Sequence, residues 1–269
     1  MIVVPSIPPP GWYGMRTPAT IPNGSTLLVV MFVVLVAAVA GLLIVEITWS
    51  ANPHSRRRTG FIAATIAAVW MTGTALLASV GALHFDAPPT MLVLLMFTFA
   101  GAIALGASRI GEQLATRIPV ALLVGFQAFR IGVELLLHQA YREGLMPIQM
   151  SYSGRNLDIL SGISGLILGL LLLRRQLMPS VILAWNVVGV ALLANILAIA
   201  MLSAPTPFRV FMNEPSNVWI TRAPWVWLPT VFVFAAILGH VVVFRWVLAA
   251  RRAAGPAISA LPGARTSAA

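Results

Sequence analysis

Three ionisable side chains recur at four-residue intervals in an otherwise apolar stretch of the sequence. Arg130, Glu134 and His138 belong to the segment FQAFRIGVELLLHQ, and Gln127 falls on the same face of a helix. A guanidinium binds carboxylate or phosphate through paired hydrogen bonds, whereas a carboxyl and an imidazole take up and release protons. The pattern predicts a site that recognises or transports a small polar or anionic solute. Arg130 is its charged anchor, and Glu134 and His138 can link binding to protons.

Two further polar groups are expected to join this site. Asn156 and Asp158 open the next apolar run, whose glycines and serines allow close helix packing. The connection between the two runs is short, so the second run should pack beside the first. We therefore expect Asn156 and Asp158 to complete a buried pocket that opens to the outside. His84 and Asp86, at the end of an earlier run, would lie at its mouth.

Two other interpretations use the same residues. In the first, Glu134, His138 and Asp158 ligate a metal ion, and a metal-bound water hydrolyses a lipid. In the second, Arg130 and Glu134 neutralise each other at i and i+4 and Asp158 caps its own helix. The chain would then be a structural subunit of a membrane complex. No cofactor is predicted, and the sequence leaves open whether the protein is an enzyme.

The composition predicts that lipid is the main solvent of these elements. The chain is 59% hydrophobic and 9% charged, whereas a soluble domain carries roughly 25% charged residues. It contains neither cysteine nor lysine, which excludes disulfides, a lysine Schiff base and a P-loop. The partners we expect are the lipid bilayer and a small solute, with a homo-oligomer or a larger membrane complex left open.

Apolar runs of the length that a bilayer requires, about 20 residues each, predict an all-α, polytopic fold with seven transmembrane helices. One domain, residues 25–249, would hold them, between a proline-rich segment at 1–24 and a basic tail at 250–269. Segment 203–224 would be either a lid over the site or a loop on the membrane surface. The predicted spans are 25–49, 60–83, 89–108, 118–142, 156–173, 180–202 and 225–248.

The basic residues predict the orientation. Most of the 17 arginines, which give a net charge of +10, lie at alternate connections on one side. By the positive-inside rule the N-terminus is outside and the C-terminus cytoplasmic. The charge is thus a sign of topology in a bacterial cytoplasmic membrane, and no nucleic-acid partner is predicted. Glu46 and Arg245 lie at similar depth near the inner surface and are expected to form an ion pair.

Overall fold

The described part of the chain, residues 22–254 of a computed structural model, is helical and contains no β-strand. Nearly all of the predicted segment 1–24 and most of the predicted tail 250–269 lie outside the described residues. The α-helices are α1 (Thr26–Ser50), α2 (Arg56–Ser79), α3 (Thr90–Ala107), α4 (Arg109–Arg117), α5 (Val120–Gly125), α6 (Phe129–Arg142), α7 (Ile159–Leu172), α8 (Pro179–Ser203) and α9 (Phe234–Ala254).

Six helical segments are long and apolar enough to cross a membrane. They are Thr26–Ser50, Pro53–Ser79, Thr90–Ala107, Val120–Arg142, Pro179–Ser203 and Leu228–Ala253. The fourth joins α5 to α6 through a 3₁₀ turn, and the sixth begins with a π-helical segment before α9. The protein is therefore a helical, membrane-embedded protein. The count of seven spans and the orientation stay predictions.

The remaining predicted span, 156–173, is shorter than expected. Helix α7 has 14 residues, which is about 21 Å against a hydrocarbon core of roughly 30 Å. The chain before it is irregular and partly buried, since Met146 and Met150 are almost fully enclosed while residues 153–155 are exposed. Non-helical backbone is tolerated at membrane depth where protein rather than lipid surrounds it. The enclosed part of this connection meets that condition, and a seventh span stays a prediction.

Helix α9 occupies the centre of the bundle. It packs against α3, α4, α5 and α8, and half of its spanning segment is buried, compared with 11% for the segment that contains α2. Its buried side chains include Leu238, Val242 and Val247, whereas α1 and α2 expose many large apolar residues. Those exposed faces fit a lipid solvent, and the central position of α9 brings its polar side chains into the interior.

Glycines hold α7 directly against α5 and α6. A Cβ atom at Gly169 would lie 2.8 Å from the Cα atom of Gly125, and one at Gly162 would lie 2.8 Å from the backbone nitrogen of Ile131. Larger side chains at either position would force the backbones apart. This close approach places the N-terminal end of α7, with Asp158, beside the middle of α6.

The ion pair predicted between Glu46 and Arg245 is not formed among the described residues. Arg245 donates to the carbonyl oxygens of Gly106, Ala107 and Ser108 at the end of α3, and it forms an ion pair with Glu112 at 3.4 Å. This part of α9 packs on α3 and α4. The prediction was wrong because equal depth does not specify which helices are neighbours.

Candidate functional site

The site is built around a buried, two-pronged ion pair between α6 and the start of α7. The Nε atom of Arg130 donates to Oδ2 of Asp158 at 2.7 Å, and its Nη2 atom donates to Oδ1. Arg130 is 2% exposed and Asp158 is 6% exposed. The partner of Arg130 is therefore the acid of the neighbouring helix. Glu134 on its own helix is not within ion-pair distance, contrary to the expected neutralisation at i and i+4.

A histidine and an asparagine extend this pair across the bundle. The Nη1 atom of Arg130 lies 2.9 Å from Nε2 of His240, whose Nδ1 atom lies 2.8 Å from Oδ1 of Asn186. A guanidinium can only donate, so Nε2 must accept and the proton of a neutral ring belongs on Nδ1. The network thus assigns one tautomer, with Nδ1–H donating to Asn186.

His240 and Asn186 are not among the site residues that the sequence predicts. One signal could have found the histidine. Arg130 lies twelve residues before the end of α6, and His240 lies twelve residues after Leu228, where the last spanning segment begins. Both are about 18 Å from the same end of the bundle at 1.5 Å per residue. Equal depth made contact possible, but only the central position of α9 made the two residues neighbours.

Asn156 holds the second carboxyl of the site. Its Nδ2 atom donates to Oε1 and Oε2 of Glu134 at 2.7 and 2.8 Å and to the carbonyl oxygen of Met150 at 3.0 Å. Its Oδ1 atom accepts from the backbone nitrogen of Asp158 at 3.0 Å. One amide therefore links Glu134 to the turn that positions Asp158. Within the described chain, Glu134 has no cationic partner at ion-pair distance.

Gln127 and His138 take no part in the hydrogen bonds that join Arg130 to Asp158 and Glu134 to Asn156. Gln127 is fully buried one turn before Arg130, donates to the carbonyl oxygen of Ala236 at 3.3 Å, and leaves its Oε1 atom without a partner. His138 is half-buried, lies 3.1 Å from the hydroxyl of Ser153, and stacks on Tyr152 with ring centroids 4.5 Å apart. Residues four positions apart on an α-helix are offset by about 40°, so His138 lies about 80° around α6 from Arg130 and faces another neighbour.

The predicted mouth residues are also displaced from the site. The Nδ1 atom of His84 lies 3.2 Å from the carbonyl oxygen of Asp86, and the side chain of Asp86 is exposed. Phe85, between them, is the buried residue that reaches the cavity described next. The connection between α2 and α3 thus contributes an aromatic wall rather than a polar rim.

A narrow cavity of about 90 Å³ adjoins the ion pair. Arg130, Glu134, Asp158 and Asn217 are the polar residues of its lining. The rest is apolar and comes mostly from α3, α6, α8 and the π-helical segment, and it includes Phe99, Phe129, Leu197, Ala200 and Phe232. Cavities of about 150 Å³ hold benzene, so this one admits only a group smaller than benzene. The predicted polar pocket is in this structure an apolar cavity with a charged end.

The connection between α8 and the last spanning segment forms one wall of this cavity. Ala204, Asn217 and Ile220 of this connection line the cavity, and Trp219 of the same connection is buried. Asn217 donates to the carbonyl oxygen of Ala200 at 3.0 Å, but its buried Oδ1 atom has no partner. Both ends of segment 203–224 therefore border the cavity, whereas Phe208, Val210 and Met212 between them are exposed. Whether the segment moves as a lid stays a prediction.

The side chains proposed for a metal site do not converge. Among the described residues, no group of three or more His, Asp or Glu side chains is placed to hold a metal ion. Glu134 and Asp158 face Asn156 and Arg130, and His138 points to Tyr152. The geometry gives no support to the interpretation as a metal-dependent lipid hydrolase.

The site lies in the part of the chain that matches a known protein family. Residues 87–248 match a family described as a domain of unknown function, DUF8737. The chain belongs to this family. No curated protein and no solved structure matches the chain. The DUF8737 region begins just before α3 and contains every polar residue of the cavity, whereas α1 and α2 lie outside it.

Proposed function

We propose that the protein binds a slender amphiphile, which is a molecule with an oxygen-bearing head group and a single apolar chain. The observation that carries the proposal is the cavity itself, which is apolar along its walls and charged at one end. A freely soluble polar solute would make no favourable apolar contact with most of this wall. A short-chain carboxylic acid or alcohol supplies both an apolar chain and a hydrogen-bonding head, and a cavity of about 90 Å³ has room for only a few carbons of that chain.

The charged end retains capacity for a head group. A guanidinium has five N–H donors, and the contacts to Asp158 and His240 use three of those of Arg130. The remaining donors suit a carbonyl, carboxyl or hydroxyl oxygen. Glu134, held by Asn156 alone, is the carboxyl that would accept from a hydroxyl or exchange a proton with the ligand. Transport would further require the wall formed by segment 203–224 to open.

The proposal is tested by thermal unfolding of the detergent-purified protein with butanoic, hexanoic and decanoic acids and with 1-butanol. We expect the short-chain ligands to raise the Tm of the wild type, whereas decanoic acid is too large for the cavity and should not. Leu197→Trp fills the cavity and should abolish the rise. Leu166→Trp, a matched change on an exposed face of α7, should preserve it. Equal Tm shifts in the two variants would mean that the ligands act through the micelle, and the absence of any shift would reject the proposed ligand class.

A further inference from the structure

A second concave surface lies at the opposite end of the bundle, where α1 ends and α5 begins. It is a groove of about 860 Å³ that is open to the surroundings. Residues from the end of α1, from the turn that leads into α2, and from the connection between α4 and α5 form it. The lining residues that matter here are Val45, Glu46, Trp49, Arg56, Arg117 and Leu122.

Two arginines in this groove donate hydrogen bonds to the C-terminal end of α1. The Nη2 atom of Arg56 donates to the carbonyl oxygen of Trp49 at 3.3 Å, and Nη1 of Arg117 donates to that of Ser50 at 2.8 Å. The last carbonyls of a helix carry partial negative charge and attract cations. Arg56 also lies over the Trp49 ring, 5.2 Å from its centroid. The carbonyl oxygens of two successive residues at the helix end therefore hold two guanidinium groups in the lining of one groove.

Both guanidinium groups keep donors for an anion. Each of the contacts to α1 uses one of five N–H groups, and the buried Nε atom of Arg56 has no hydrogen-bond partner. Glu46 lines the same groove, and no described ion pair involves it. The groove thus holds two cations for one acid, which favours a ligand with a negative charge.

The floor of the groove is apolar and exposed at membrane depth. Val45, Trp49 and Leu122 are 50%, 62% and 52% exposed, and they lie near the ends of spanning segments. Tryptophan is enriched at this level of a bilayer. A free phosphate would leave these surfaces uncovered, whereas the acyl chain of a lipid would cover them.

We propose that this groove binds an anionic phospholipid, with its phosphate between Arg56 and Arg117 and an acyl chain along Val45 and Leu122. Basic pockets between transmembrane helices bind anionic lipid head groups in this way. The site is separate from the cavity at Arg130 and does not depend on what binds there.

The test is native mass spectrometry of the purified protein titrated with phosphatidylglycerol and, separately, with phosphatidylcholine. The wild type should retain one phosphatidylglycerol at collision energies that strip phosphatidylcholine. The double variant Arg56→Gln with Arg117→Gln should lose roughly 30-fold in affinity for phosphatidylglycerol. The control, Arg57→Gln with Arg58→Gln, removes the same charge from exposed neighbours outside the groove and should keep the preference.

A second variant and a soluble competitor distinguish a lipid site from a phosphate site. Leu122→Trp keeps both arginines and obstructs the chain, so it should weaken phosphatidylglycerol binding even if the arginine double variant fails to fold. Glycerol phosphate, which has the anion without the chain, should not displace the lipid. Displacement by glycerol phosphate, or equal loss of binding in the control at positions 57 and 58, would overturn the proposal.

Discussion

Arg130 is a permanent charge held inside a membrane-embedded bundle, and its contacts explain how that is tolerated. A charge at membrane depth must face the bundle interior and find partners. Asp158 supplies two acceptors and His240 a third. The i,i+4 rule describes pairs on an exposed helix surface. In the interior, Arg130 pairs with the acid of the neighbouring helix, while Glu134 accepts from Asn156.

At the residue scale we predict that Arg130→Met is far more destabilising than the double variant Arg130→Met with Asp158→Asn. The single change leaves a buried carboxylate without its cation, which costs about 3–5 kcal/mol in buried pairs. The double change removes both charges and should recover most of that loss. Unfolding of the purified variants in denaturant measures the difference. Equal loss of stability in the single and double variants would show that Asp158 is not the partner that matters.

At the scale of elements, the position of α7 decides where Asp158 lies. The helix is short, its entry is irregular, and its glycines face the backbones of α5 and α6. The 3₁₀ turn at Phe126–Ala128 separates α5 from α6, so the predicted span 118–142 has a break where α7 packs. The small-residue pattern correctly indicated close packing, but it did not indicate the break.

We predict that Gly169→Ala destabilises the protein by about 1–3 kcal/mol, the usual cost of overpacking. The new Cβ atom would lie 2.8 Å from the Gly125 Cα and 3.0 Å from the Ala121 carbonyl oxygen, and neither atom can turn aside as a flexible side chain would. Gly73→Ala is the matched control, because nothing lies within 4 Å of its Cβ atom. It should be neutral or stabilising by up to about 1 kcal/mol. The relative stabilities come from unfolding in denaturant, and a neutral Gly169→Ala would contradict the close contact.

At the scale of the whole molecule, the two ends of the bundle differ in chemistry. One end carries the arginine-rich connections and the groove at Arg56 and Arg117. At the same end Arg245 donates to carbonyl oxygens where α3 ends. The other carries the wall of the cavity and segment 203–224. The DUF8737 region contains the whole polar cluster, so the proposed ligand site belongs to the part of the chain that the family defines.

We predict that the arginine-rich end faces the cytoplasm. Because the chain has no cysteine, single cysteines report their side without background. Asp86→Cys and Gln176→Cys stand at exposed positions in connections at opposite ends of the bundle. A membrane-impermeant maleimide should label position 86 in intact cells and position 176 only after permeabilisation. The reverse pattern would invert the topology.

The sequence by itself determined that this chain folds in lipid as helices and that the polar face bearing Arg130 points away from the lipid. Those conclusions rest on composition, run length and the cost of charge in an apolar solvent. Only the tertiary structure decided that His240 and Asn186 join Arg130, that His138 does not, and that the cavity walls are apolar. Periodicity shows which face of a helix is polar. It does not show which distant helix meets that face, because side-chain packing across the bundle sets the rotation and the neighbours of each helix.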